Sequence, residues 1–485
     1  MDVELKDRRL CCECVGEAFL RSEIRRRGDE AECFYCGGHH KTFSIGEVAD
    51  EVELALNEHF YRTATEPSSL EYTMLKECDG DWEREGDPIT LIIEECAEIE
   101  LEPAEDVQEV LEERNHHFDT DTIGEEEPFE EDAHYARSGV DVDESQAGWL
   151  HFEKSLKTQA RYFSRTAEST LTSVFEGLAD HKTRDGHPVI VEAAPDKQLA
   201  AVYRARVFQS DEKLEEALQR PDRDIGPPPS LAAIAGRMNA HGISVFCGAT
   251  DPQIALAEVR PPVGSKVVVA RFELLRPVRL LDVEALRSVN TTGSVFDRGY
   301  LPRLERAKFL KWLSRRITMP VMPDDEPFEY LATQAVADFL ATNANPPLDG
   351  ILYPSAQGGE GELNVVLFHK AACVQSLDIP KGSEIDAQLY EQNDEGLEIS
   401  PRVWERVPPK RAPEVAPVRL EPEGLLVSEE LNLPVPEDYD HERREPMLKL
   451  DISNVQVHVV KGVEFDTEPH PIHRHRFEAQ ESTPF

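Results

Sequence analysis

The sequence predicts an α+β protein in which a cysteine-paired knuckle and a run of helices precede a mixed-sheet domain. Three observations carry this. Two Cys-x-x-Cys pairs fall within residues 11–36, and apolar residues then recur at helical spacing as far as Leu178. From about residue 198 the pattern changes to the alternation that strands require. A length of 485 residues also exceeds one ordinary core, since a domain takes roughly 100–200 residues.

The first element is the knuckle. Cys11-x-x-Cys14 and Cys33-x-x-Cys36 are separated by 18 residues. Each turn places two thiolates on one side of an ion, and two turns complete a tetrahedral four-thiolate site that suits zinc. Such a site leaves no coordination position open to water, so its role is structural. Cys12 is a spare thiol, and His39 and His40 are alternative ligands. Next, Ser44 and Glu47 form a capping box ahead of a helix with Ile45, Val48, Val52, Leu56 and Phe60 on one face. A second helix is expected from about Pro88, with Leu91, Ile92, Ile93, Ala97 and Ile99. Residues 94–144 turn very acidic, and 120–146 read as a solvated loop. A third, longer helix is marked by Phe152, Leu156, Phe163, Leu171, Val174, Phe175 and Leu178.

The mixed-sheet domain begins with the strand LAAVYRARVF and continues with ISVFCGA, SKVVVARFEL, VRLLDV, GILYPSA and LNVVLFH. Helices are expected at DPQIALAEV and over Tyr330 to Thr342. Beyond residue 375 the composition is that of a proline-rich acidic linker. LKLDISNVQVHVV and GVEFDTEPHPIHRHRFE read as a closing pair of strands.

The net charge is -43, which excludes a chain built as a whole to neutralise nucleic-acid phosphates and argues against an anionic membrane partner. The charge is uneven. Residues 81–150 hold 3 basic and 25 acidic residues, whereas 151–380 hold 27 and 29. The amino terminus MDVELKDRRL leads into no apolar run of signal-peptide or membrane length, so a cytoplasmic location is expected.

Three clusters in the near-neutral segment bear on chemistry. Arg204 and Arg206 lie two apart in an alternating strand and share a face, which suits a grip on phosphate and equally a solubilised edge strand. Thr250 or Asp251 caps a helix opening at Pro252, and Glu258 falls near its end in an apolar run. That carboxylate either pairs with Arg260, turns to solvent, or stabilises developing positive charge as glycosidic cleavage requires. Finally, Pro354-Ser355, a turn with Gly358, Gly359 and Gly361, and a strand with Asn364 bring a hydroxyl and an amide to one strand end. An ordinary hairpin explains the glycines equally well. Walker, HExxH, G-x-S-x-G and GxGxxG patterns are absent. The residues alone lead to a phosphate-binding, carboxylate-bearing α+β domain.

In order, YRAR (203–206), GRMN-x2-G-x3-F followed by the A-x-x-E of ALAE, YLATQ, and DGILYPS with ELNVVLF resemble the RES family over about residues 195–372. RES domains are similar to ADP-ribosyltransferases, degrade NAD, and in many cases are toxins held by an antitoxin. The preceding part resembles the HEPN/RES N-terminal domain, without the R-x4-6-H ribonuclease motif. The resemblance implies the following division: a zinc knuckle (1–42), a helical HEPN/RES N-terminal domain (43–185), a RES catalytic domain (195–375) and a tail (376–485). It implies catalytic roles for Arg204, Glu258 and Ser355. Arg204 or Arg206, with Arg237, would contact the NAD pyrophosphate. Glu258 would stabilise the oxocarbenium-like transition state, and Ser355 and Asn364 would orient the ribose or nicotinamide. Phe246 stands where a tyrosine is common, which moves any phenol role to Tyr203, and Cys247 is expected in the core. The implied function is NAD glycohydrolase or phosphorylase, with NAD as substrate and structural Zn2+. The alternatives are a protein mono-ADP-ribosyltransferase and a non-catalytic NAD-binding interaction protein.

Overall fold

The computed structural model describes residues 4–69, 71–73, 82–115, 128–355, 361–394, 396–409, 444–464 and 467–476. The chain divides into two compact units, Met1–Val189 with Val283–Met319 and Ile190–Asp282 with Pro320–Phe485.

In the first unit, β1 (Arg9–Cys11), α1 (Ala18–Arg27), β2 (Asp29–Glu32) and β3 (His39–Ser44) form the knuckle, with antiparallel sheet order β1-β3-β2. Ser44 ends β3 and caps α2 (Ile45–His59): its Oγ accepts from the Glu47 amide at 3.2 Å, and Glu47 Oε2 accepts from the Ser44 amide at 2.7 Å. The predicted capping box is therefore present, and the predicted face is buried. Ile45, Val48, Val52 and Leu56 pack with Ile92 and Ile93 of α3 (Ile89–Ala97) and with Val107 and Leu111 of α4 (Leu101–Asn115). Each such side chain contributes about 1.5–3 kcal/mol by leaving water. Arg8 ties this core to the knuckle. Its guanidinium grips buried Asp106 with bonds of 2.9 and 2.7 Å, Tyr35 donates to the same carboxylate at 2.5 Å, and Arg8 lies 4.4 Å over the Phe34 ring.

Two expectations are corrected here. The third helix is two, α5 (Asp143–Thr158) and α6 (Arg165–Phe175). Ser164 starts the second by accepting from the Ala167 amide at 3.2 Å, and Phe163 at the break has φ 57 and is fully exposed. Nor is the acidic stretch all loop. β6 (His134–Arg137) pairs with both β4 (Phe60–Arg62) and β5 (Asp87–Pro88) and buries Tyr135, while residues 116–127 of that stretch lie outside the described ones. The segment Val283–Met319 supplies α10 (Tyr300–Thr318), whose Arg316 donates to the buried Glu153 carboxylate at 2.9 and 2.7 Å.

The second unit is built on an eight-stranded sheet. Its strands are β7 (Ile190–Ala193), β8 (Ala201–Phe208), β9 (Phe246–Ala249), β10 (Lys266–Leu274), β11 (Val278–Asp282), β12 (Gly350–Pro354), β13 (Leu363–Leu367) and β16 (Leu448–Val459), in the order β16-β10-β8-β9-β13-β12-β11-β7. Only β11 and β12 run parallel, so the sheet is mixed and the fold is α+β as expected. Alternation sends Val202, Phe246, Phe272, Val365 and Leu367 to a core shared with Leu214 and Leu218 of α7 (Asp211–Gln219), which is followed by the short α8 (Pro221–Asp224). Ala205, Ala249, Val267 and Val269 form a second core with Ile254 and Ala255 of α9 (Pro252–Glu258). The remaining helix is α11 (Glu326–Thr342).

Beyond residue 375 the structure differs from the linker expected. β14 (Glu384–Asn393) and β15 (Gly396–Arg406) form an antiparallel hairpin that buries Ala387 and Leu389. The proline-rich residues 410–443 lie outside the described ones. Of the two closing strands, LKLDISNVQVHVV is β16, whereas the described residues 461–464 and 467–476 have no strand.

Candidate active site and metal centre

Helix α9 delivers Glu258. Asp251, rather than Thr250, is the cap, its Oδ1 accepting from the Gln253 amide at 2.7 Å, and Pro252 opens the helix with a fixed φ. Ile254 and Ala255 fix α9 to the sheet, so Glu258 turns towards the ends of β12 and β13. There Oε1 accepts from Ser355 Oγ at 2.6 Å and from Asn364 Nδ2 at 2.7 Å. Arg260 is not its partner, since it is exposed and forms no ion pair with Glu258 among the described residues. Ser355 and Asn364 are 9% and 3% exposed, so both donors are preorganised and shielded. Hydrogen bonds to a charged group contribute about 1.5–3 kcal/mol each. Among the described residues Oε2 accepts no hydrogen bond. Asn364 is the register partner of Tyr353, and Ser355 follows Tyr353 by two, so alternation places all three on one face. Gly358 and Gly359 of the expected glycine turn lie outside the described residues; Gly361 has φ 86.

Arg204 enters where the sheet opens. β8 and β9 share the single pair Tyr203–Ala249, and a Cβ on Gly248 would sit 2.5 Å from the Tyr203 carbonyl oxygen. The strands thus touch closely at one point. Arg204 Nη1 donates to the Cys247 carbonyl at 2.6 Å, with the guanidinium 5.4 Å over the buried Phe246 ring. Its Nε is buried without a hydrogen-bond partner among the described residues. Crowding by surrounding protein lowers the Arg204 pKa, with the opposing influence of Cys247 second. An unsatisfied buried guanidinium donor is costly unless an anion takes it.

Cys247 is not in the core as expected but open to solvent. Its thiol is nonetheless pushed up, first by crowding and further by Glu258, against the lowering effect of Arg204. A neutral thiol is a poor nucleophile. The Tyr353 phenol is raised by the same crowding, with Cys247 and Glu258 adding and Arg237 opposing. Arg237 lies 5.3 Å over the Tyr330 ring. Its loop is held by α11, where Thr333 Oγ1 donates to the Arg237 carbonyl at 2.5 Å and Gln334 Nε2 to the Gly236 carbonyl at 2.9 Å. The mutual electrostatic influences bring Arg237, Cys247, Glu258, Tyr330 and Tyr353 near one another, with Ser355 and Asn364 holding the carboxylate, and Arg204 meets this group through Cys247.

Two other candidates are placed differently from one another. Arg206 is exposed, donates to the Asp224 carbonyl and lies 5.6 Å over Phe208. Tyr203 packs on the side of β8 that carries the α9 core and is in register, through Ala249, with Asn364 and Tyr353, so it shares their sheet face. Two further phenols belong to this group, Tyr330 and Tyr353, which sequence reasoning passed over. The parity of Tyr353 with Ser355 was the available signal.

In the first unit the four predicted cysteines converge. Their sulfurs all lie within 4.8 Å of one another, and Cys11–Cys14, Cys11–Cys36 and Cys14–Cys33 are 3.6, 3.6 and 3.9 Å apart. Zinc–sulfur bonds of about 2.3 Å in a tetrahedron set sulfurs roughly 3.8 Å apart, so the donor set fits zinc. Burial pushes the Cys11 thiol up to about 11, and the Gly38 amide draws Cys36 down to about 7. Thiols that ligate a divalent cation give up their protons on binding it. His39 and His40 lie outside the cluster, and Cys12 packs in the core with its thiol donating to Glu13 at 3.6 Å.

Residues 201–389 match the family model of the RES domain. No curated protein and no solved structure matches the chain. Among the described residues no helix is long and apolar enough to cross a membrane.

Proposed function

We propose that this chain, bearing a RES domain over residues 201–389, consumes NAD by cleaving the bond between nicotinamide and ribose, in a toxin-like setting with an antitoxin or regulatory partner. The RES match itself implies action on NAD. The observation that carries the finer reading is a carboxylate, Glu258, fixed by Ser355 and Asn364 at 2.6 and 2.7 Å and close to Cys247, whose carbonyl accepts from Arg204.

The chemistry asks little else of the protein. The bond from ribose C1′ to the pyridinium nitrogen breaks with its electron pair passing to nitrogen, which loses its positive charge, so no general acid is required. Positive charge then spreads over C1′ and the ring oxygen. Glu258 compensates that charge, and its rotamer is locked by the two donors, so little reorganisation accompanies bond opening. Arg204 and Arg237 take the pyrophosphate, while Arg206, tied to the Asp224 carbonyl, assists at longer range. Tyr203 supports α9 from the sheet. Water, or phosphate as a second acceptor, adds at C1′, and water gives its proton to Glu258. The four-domain division and the HEPN/RES character of residues 43–185 belong to the same proposal, as does Zn2+ at Cys11, Cys14, Cys33 and Cys36.

The test is nicotinamide release from NAD by the full chain. Glu258→Gln is expected to lower kcat by about 100–1000-fold, the scale of one lost electrostatic stabiliser, with KM little changed. Unchanged turnover in that variant would overturn the role given to Glu258. Label from NAD appearing on protein rather than in free products would redirect the reading to mono-ADP-ribosyl transfer, and binding without turnover to an interaction protein.

A further inference from the structure

Glu258 uses the single hydroxyl proton of Ser355 and one of the two amide protons of Asn364. A sugar bound against that carboxylate therefore needs a further donor on the same sheet face. Register decides which side chain supplies it. Across β8, β9, β13 and β12 the residues Tyr203, Ala249, Asn364 and Tyr353 are successive partners. Strands lie about 4.8 Å apart, so Tyr353 is the immediate neighbour of Asn364, whereas Tyr203 is two strands removed with Ala249 between. Ser355, two residues on from Tyr353, falls on the same face by alternation. Tyr353 thus adjoins both of the groups that hold Glu258.

The other two phenols of this region are engaged. Tyr203 packs against the α9 core, and Tyr330 donates to Glu326 at 3.1 Å while Arg237 lies over its ring. Tyr353 is half-buried and within electrostatic range of Cys247, Glu258, Arg237 and Tyr330, and its hydroxyl makes no hydrogen bond among the described residues. A crowded hydroxyl left unpaired costs free energy that a ligand oxygen recovers. Crowding by protein, with Cys247 and Glu258 adding, also raises the phenol above its ordinary value, so it remains a donor across the neutral range.

We infer, on the reading that this site cleaves NAD, that Tyr353 contacts the substrate and that its hydroxyl donates to the 2′-hydroxyl of the nicotinamide ribose. The place of Glu258 selects that oxygen. The carboxylate addresses C1′, where positive charge develops, and of the sugar hydroxyls the 2′ is the nearest to C1′. Tyr353 then reads the ribose while Ser355 and Asn364 hold the carboxylate.

Tyr353→Phe removes one oxygen and keeps the ring, so its melting temperature is expected to match that of the unaltered chain. Both full-length proteins are assayed for nicotinamide release from NAD and from the analogue lacking the 2′-hydroxyl of the nicotinamide ribose. On NAD the variant is expected to lose about tenfold in kcat/KM, the scale of one hydrogen bond. On the analogue the two proteins are expected to agree within about twofold, since the intrinsic lability of the analogue cancels in their ratio. Equal losses on both substrates would reduce Tyr353 to a structural part, and no loss on NAD would leave its hydroxyl without a role; either result overturns the assignment while NAD cleavage stands. No nicotinamide release by the unaltered chain would instead remove the NAD reading, and this contact with it.

Discussion

The metal centre and the Glu258 cleft are assembled in opposite ways. All four sulfurs come from residues 11–36 and are set by two local turns on one small sheet. The cleft draws its carboxylate and its two donors from positions 97 and 106 residues apart, brought together by pairing across an eight-stranded sheet. A local site stands or falls with its ion. A distributed site stands or falls with register, because a one-residue slip of β13 would send Asn364 to the other face. Structure and chemistry are therefore expected to come apart when either is perturbed.

The largest expected effect tests the local side. Structural zinc contributes about 10–16 kcal/mol of apparent binding energy at neutral pH. Chelation, or Cys33→Ser, is expected to abolish the thermal transition of the first unit and to leave the second unit folded; elemental analysis should find one zinc per chain before chelation. A single melting transition untouched by chelator, with no metal bound, would remove the contrast.

On the distributed side, Asn364→Leu leaves Glu258 with one donor. Removing a hydrogen bond to a charged group costs about 1.5–3 kcal/mol, so kcat for nicotinamide release should fall about 10–100-fold at unchanged KM, and Ser355→Ala similarly. A rise in KM alone would recast both residues as ground-state binders.

A smaller effect is expected at Arg8, which joins the knuckle to its helices. Arg8→Ala strands the buried Asp106 carboxylate with Tyr35 as its remaining hydrogen-bond donor among the described residues, at a cost of about 1–3 kcal/mol. Denaturant unfolding should register this in the first unit without loss of zinc.

The smallest is a pH effect at the sheet edge. Ser453, Asn454 and Arg271 hold the Asp451 carboxyl down to about 2, below its ordinary 3.8. A depressed folded-state value gives stability that is full above the unfolded pKa and is lost as pH falls through the folded one. Asp451→Asn should therefore matter at pH 5 and cease to matter near pH 2, as read by melting temperature across that window.

The same contrast explains what was legible in the sequence. The four cysteines and the Ser44/Glu47 box are local patterns whose chemistry is written within a few residues. Arg204, Glu258, Ser355 and Asn364 were found only through ordered motifs, and the bonds joining Glu258 to Ser355 and Asn364 required the register of β12 and β13. Tyr330 was invisible as a cleft residue because its place depends on α11 meeting the Arg237 loop. The break at Phe163 was missed because the apolar spacing continues across it, while Ser164 restarts the helix by a cap. The β14–β15 hairpin was hidden by its acidity and by Pro401 within a strand, and its buried face amounts to Ala387 and Leu389.

The outermost strand of the large sheet carries a consequence for biogenesis. β16 covers β10 with partners such as Arg271 and Asp451, 180 residues apart in the chain. During synthesis β10 therefore emerges long before the segment that protects its edge, and ordering the intervening chain adds closure entropy before any contact is gained. Until β16 arrives, a nine-residue valine-rich edge from Lys266 to Leu274 is open to pairing with another chain. Ribosome-bound chains halted before residue 448 should accordingly be the form most dependent on chaperones.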